Sequence, residues 1–97
     1  MSKVNLIIVA KINHDESEAL SHYLDKVGNL YKQVEAKSVG KYKISKPLIG
    51  KRTPSLVSIM EFSNMESLNH VFDGNEYKEL IAYRDKAFLD VEAFISE

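Results

Sequence analysis

The chain has no cysteine and no tryptophan, only two prolines and four glycines, and few histidines. Without cysteine there is no disulfide framework, no thiolate metal site and no cysteine nucleophile. The longest purely apolar run, Leu6 to Ala10, is far shorter than the roughly 20 residues that a membrane-spanning helix needs. No basic region, apolar core and small-residue cleavage site follow one another at the N-terminus, so a cytoplasmic location is expected. His14, His22 and His70 stand in separate contexts, without H-x-x-x-H or H-x-H spacing. Glu18 and His22 lie one helical turn apart and offer two ligands with no third, so no metal is expected. No glycine-rich phosphate loop follows a strand, and no Gly-x-Ser-x-Gly elbow is present. No cofactor is implied, and with no catalytic signature the chain does not declare itself an enzyme.

What is present suits one globular domain spanning residues 1–97. The 44% hydrophobic and 28% charged content is ordinary for a soluble fold, and the length allows one core but not two. A net charge of −1 gives no global attraction to nucleic acid or anionic lipid.

Residues 56–62, Leu-Val-Ser-Ile-Met-Glu-Phe, carry five large apolar side chains in seven positions and predict a central strand. Ser63-Asn64-Met65-Glu66 follows with the pattern of a capping box, Ser63 being the expected cap of a short helix to about Phe72. Val4 to Ile12 is the first strand, apolar on both its even and its odd positions, as a sheet with one wet face would not require. Leu20, Tyr23, Leu24, Val27, Leu30, Tyr31 and Val34 recur at helical spacing, with Asp15 and Glu18 as candidate caps. Gly28 within that helix suggests a close crossing over the sheet. Lys41 to Ser45 alternates weakly as a short strand, and Pro47, Gly50 and Pro54 break up the basic stretch around it. Asp73-Gly74 stops the short helix, Asn75 can cap a third helix to about Ala87, and Leu89 to Ser96 alternates as the last strand.

The order β-α-β-β-α-(α)-β is the split βαβ, ferredoxin-like arrangement of the α+β class, with an antiparallel sheet. Helices cover one sheet face and leave the other bare. That bare face would carry either Ile7 and Val9 or Leu6 and Ile8, with one side of the central strand. An apolar patch of that size is rarely left in water, and a two-fold homodimer would cover it.

The pattern Glu61-Phe62, Met65-Glu66, Glu76-Tyr77-x-x-Leu80 and Arg84 resembles the domain of unknown function 1330 family. Asp15 and Tyr23 stand near the family's acidic and tyrosine positions, and Val39-Gly40 falls where the family shows paired glycines. The resemblance runs from the first strand to the last. It implies a dimeric α+β barrel, two ferredoxin-like subunits packed through their sheets, and no general activity. Related barrels place a ligand between helices and sheet or inside the barrel, and the missing tryptophan disfavours those that use one in catalysis.

Arg84 falls on the apolar stripe of the third predicted helix with Tyr77, Leu80, Ile81 and Phe88. A desolvated charge needs a partner, and Glu61 at the end of the central strand is the expected one. Such a pair is either a salt bridge pinning helix to sheet or a clamp for a polar ligand, with Arg84 binding and Glu61 accepting a proton. Tyr77 and Tyr23 are either amphipathic packing residues or pocket-lining phenols. His14, beside Asp15 at the mouth of the first strand, is the histidine placed to act as a base, or else a turn residue.

Lys37, Lys41, Lys43, Lys46, Lys51 and Arg52 make a basic segment without an acid. With Tyr42 interleaved it could follow a single strand of nucleic acid, but lysines on an edge strand also block aggregation, the favoured reading here. The sequence therefore points to a homodimer with a small organic ligand near Glu61 and Arg84. A non-catalytic regulatory or interaction dimer is the alternative, and nucleic-acid binding through Lys37–Arg52 a weaker third.

Overall fold

The apolar residues on both sides of the first and third strands place those strands in the middle of the sheet. In the computed structural model, which describes residues 2–97, four antiparallel strands lie in the order β2-β3-β1-β4. They are β1 (Val4–Ile12), β2 (Lys37–Lys43), β3 (Leu56–Phe62) and β4 (Phe88–Ser96). The helices are α1 (Ser17–Gln33), α2 (Met65–Phe72), α3 (Asn75–Lys78) and α4 (Ile81–Ala87), with a 3-10 turn at His14–Glu16. The fold is α+β, as expected, and β1, β3, α1 and β4 fall within a residue or so of their expected limits.

Register fixes which side chains are dry. Val4, Leu6, Ile8 and Ala10 of β1 pair with Phe62, Met60, Ser58 and Leu56 of β3, and this set faces the helices. Phe62 is fully buried there, with Leu30 and Val27 of α1, Val71 and Leu68 of α2, and Leu80 in the same core. The opposite parity is open: Ile7 pairs with Ile59 and Phe94, and Val9 with Val57 and Glu92. Tyr42, opposite Val57, extends this bare side onto β2. A register shift between Ser38 and Gly40 puts an irregularity in β2. The Tyr42 ring lies across Gly40, where a Cβ would come within 2.8 Å of it.

Several local expectations need correction. The cap of α2 is Asn64, not Ser63: the Asn64 side chain accepts from the Ser67 amide at 2.8 Å. Asn13, not Asp15, caps the turn before α1, its carboxamide oxygen accepting from the Asp15 amide at 3.1 Å. The expected third helix is broken into α3 and α4 about Glu79 and Leu80, and Asn75 is its first helical residue rather than its cap. Gly28 marks no close crossing, since nothing lies within 4 Å of where its Cβ would sit.

Two stability measurements check these assignments. In urea unfolding, Asn64→Ala should cost about 1 kcal/mol while Ser63→Ala costs only a few tenths. Gly28→Ala should stabilise by about 0.5–1 kcal/mol, because the methyl meets no neighbour and the unfolded chain loses freedom.

Candidate functional site

Amphipathic packing of α1 against the α3–α4 segment brings two phenols together. Tyr23 on α1 and Tyr77 on α3, both buried, hydrogen bond through their hydroxyls at 2.9 Å. Arg84 on α4 donates from Nη1 to the Tyr77 hydroxyl at 3.3 Å. A guanidinium can only donate, so the Tyr77 oxygen accepts from Arg84 and shares one further hydrogen bond with Tyr23. The other partner of Arg84 is its neighbour Asp85, reached by Nε and Nη2 at 3.3 Å each. Arg84 keeps 30% side-chain exposure and Asp85 63%, so this carboxylate stands largely in water.

Around the hydroxyls the rings form a continuous series, edge-on at all but the tilted Phe72–Tyr31 contact. Phe88 contacts Tyr23 with centroids 5.7 Å apart, and Tyr23 contacts Tyr77 at 6.2 Å. Tyr77 meets Phe72 at 4.8 Å, Phe72 meets Tyr31 at 6.4 Å, and Tyr31 meets Phe62 at 5.9 Å. Such pairs add about 0.5–1.5 kcal/mol each beyond the area they bury. Burial, followed by the hydrogen bond with Tyr77 and that group's proximity, pushes the Tyr23 phenol far above its ordinary value. Burial, with Tyr77 nearby, does the same to Tyr31.

Three of the five residues singled out from the sequence, Tyr23, Tyr77 and Arg84, thus come together. Glu61 does not join them, and the expected Glu61–Arg84 pair is absent. Met60 and Phe62 face the helices, so strand alternation turns Glu61 to the open face, opposite Asn5, where Lys3 Nζ lies 3.3 Å from it. His14 sits exposed on the 3-10 turn. His22, read as a partner for Glu18, instead stacks on Tyr83 with ring centroids 4.0 Å apart, bridging α1 and α4. Tyr83 was missed because its partner lies on another helix.

Among the described residues two surface depressions stand out. One of about 440 Å³ lies between the end of α1 and the α2–α3 corner, lined by Leu30, Gln33, His70 and Asp73 among others. The other, of about 420 Å³, lies where the β2–β3 connection crosses β1 and β4, between Val9, Lys11, Arg52, Pro54 and Asp90. Neither is lined by Tyr23, Tyr77 or Arg84. Among the described residues no cluster of three or more acidic, histidine or cysteine side chains is arranged to hold a metal, and no helix is long and apolar enough to cross a membrane.

A sheet of this order with its helices on one side is the ferredoxin-like fold, the class to which this chain's solved neighbours belong. The chain itself belongs to the family described as "Domain of unknown function (DUF1330)", which it matches over residues 6–95. Among solved structures it is similar to RPA0582, a protein of unknown function from Rhodopseudomonas palustris. That match has a TM-score of 0.85 and 17% identity over 97% of this chain and 80% of the other. It is also similar to a dimeric protein of unknown function with a ferredoxin-like fold from Bacteroides fragilis, at TM-score 0.65 and 12% identity over 98% and 95% of the two chains. A Mesorhizobium loti protein of the dabb family with the same fold matches at TM-score 0.70 and 11% identity, over 100% and 97%. Among curated proteins, none matches.

The buried phenols give an alkaline signature. A phenol whose folded value is raised stays protonated after the unfolded chain has ionised, so its contribution is intact below pH about 10 and falls away above it. In unfolding experiments between pH 10 and 11.5, Tyr23→Phe should make the decline shallower by about 1.4 kcal/mol per pH unit.

Proposed function

We propose that the protein is a homodimeric α+β barrel that binds a small organic anion beside Arg84, with Tyr77 and Tyr23 as the buried wall behind it. The carrying observation is the state of Arg84. This cation is 30% exposed, its inward hydrogen bond goes to a neutral phenol, and the carboxylate at hand is the largely hydrated Asp85. A carboxylate that displaced Asp85 would give the planar guanidinium a two-pronged partner, the pairing it favours. Tyr77 could then supply a second hydrogen bond from within.

The assembly rests on the open sheet face. Ile7, Val9, Val57 and Ile59 are each only partly covered, and Phe94 and Tyr42 are half exposed, in one patch across four strands. Such a patch is self-complementary under a two-fold axis. The dimeric description of the Bacteroides fragilis neighbour supports the same arrangement.

Thermal unfolding with quinones, phenols and small organic acids, aromatic and aliphatic, tests the ligand. A binder present at 100 times its Kd should stabilise by about 2.7 kcal/mol, raising Tm by several degrees. Arg84→Gln should abolish the shift. No shift with any of them would favour the second reading, a non-catalytic interaction dimer, which is supported by neither surface depression reaching the phenols. Sedimentation checks the assembly separately: wild type should be a dimer at micromolar concentration, and Ile59→Glu a folded monomer.

A further inference from the structure

The connection between β2 and β3, residues 44–55, is much longer than a hairpin turn of about two to five residues. It is fixed firmly at its root. The Ile44 amide donates to the Ser55 carbonyl at 2.9 Å, and the Ser55 amide to the Ala10 carbonyl at 2.7 Å. Ser55 Oγ accepts from the Ile12 amide at 3.0 Å. Arg52 reaches over β1 to β4, where it bridges Asp90, at 3.0 Å, and Glu92. Beyond these anchors the tip stands clear, with Leu48 96% and Ile49 92% exposed. The next most exposed large apolar residue, Leu89, is at 63%. Pro47 precedes the pair, and Gly50 follows it with φ of 101°, a left-handed conformation that favours glycine. The tip is a shaped turn that presents two aliphatic side chains to solvent.

We propose that this arm clasps a second copy of the chain, extending the sheet-to-sheet contact. The inference rests on the dimer proposed above. Three observations select a second copy as the occupant. The first is continuity: the root of the arm borders Val9, Lys11 and Asp90 of the open face. The second is area. Four strands of seven to nine residues give the face a flat footprint of about 500 Å² at ordinary strand spacing. A stable interface takes about 800 Å² of accessible surface from each partner, and a projecting apolar arm adds to what the sheet itself can bury. The third is charge. Three of the thirteen basic residues, Lys46, Lys51 and Arg52, and none of the fourteen acidic ones lie on the arm, leaving ten basic and fourteen acidic residues elsewhere. The basic arm therefore finds a complementary acidic body in another copy of the same chain.

The test compares dimer dissociation by sedimentation equilibrium for wild type and the L48S/I49S double variant. Both substitutions are at solvent-exposed positions, so folding is retained. The double variant should dissociate roughly tenfold or more readily. In a second measurement Leu48→Cys supplies the chain's one thiol for maleimide labelling. Labelling should be several-fold slower above the dimer Kd than in the same variant made monomeric by Ile59→Glu. A wild type that stays monomeric overturns the dimer and the clasp together. A dimer with unchanged Kd and full labelling rate in the double and single variants respectively overturns the clasp alone. Binding to phosphatidylserine vesicles that needs Leu48 and Ile49, with the thiol unprotected in the dimer, would assign the tip to a lipid surface and overturn it too.

Discussion

A sheet that is apolar on both faces, with helices for only one of them, is the constraint on which this protein depends. β1 and β3 hold the centre, and the same two strands serve two environments by parity alone. The even positions of β1 meet Met60 and Phe62 under the helices. The odd positions meet Val57 and Ile59 on the bare side. A shift of one residue between these strands would exchange the two sets, so the core and the open face are specified by one register. Large side chains decide it: Phe62 is fully buried under the helices, and Glu61, next to it, must then look outward.

That parity also explains what could be read from the sequence and what could not. Strands β1 and β3 were legible because their apolar content far exceeds what a half-wet strand needs, and α1 because its stripe repeats over many turns. The choice between Ile7 with Val9 and Leu6 with Ile8 stayed open, since each set alone would serve as a core face. The Glu61–Arg84 pairing failed for the same reason. Each residue was rightly seen as a charge among apolar neighbours, but on opposite sides of the sheet. The break between α3 and α4 has no glycine or proline to announce it, and the stripe of Tyr77, Leu80, Ile81 and Arg84 runs through it. Ser63 and Asn64 are both good caps, and only geometry chooses between them. The Tyr23–Tyr77 contact joins residues 54 apart, beyond any local pattern.

The candidate site is a polar inclusion in an aromatic layer. Tyr23 and Tyr77 satisfy one another's hydroxyls, and Arg84 satisfies the remaining acceptor, so no buried oxygen in this group is left without a partner. The cost of holding a guanidinium at the edge of that layer is offset by its residual exposure and by Asp85. Much of the basic charge elsewhere is gathered in one stretch of sequence. The basic stretch occupies β2 and the connection after it, and among its residues Arg52 reaches across to the acids of β4. Lysines and a register irregularity on edge strand β2 oppose pairing with a further strand there.

The placement of the five phenols makes the molecule its own optical gauge. Tyr23, Tyr31 and Tyr77 are fixed among other rings beneath the helices, Tyr83 lies against an imidazole on the outside, and Tyr42 rests over Gly40 on the bare side of the sheet. With no indole to swamp them, tyrosine emission and near-ultraviolet dichroism report three separate regions. Loosening of the interior and coverage of the sheet can be followed apart, without attaching a dye.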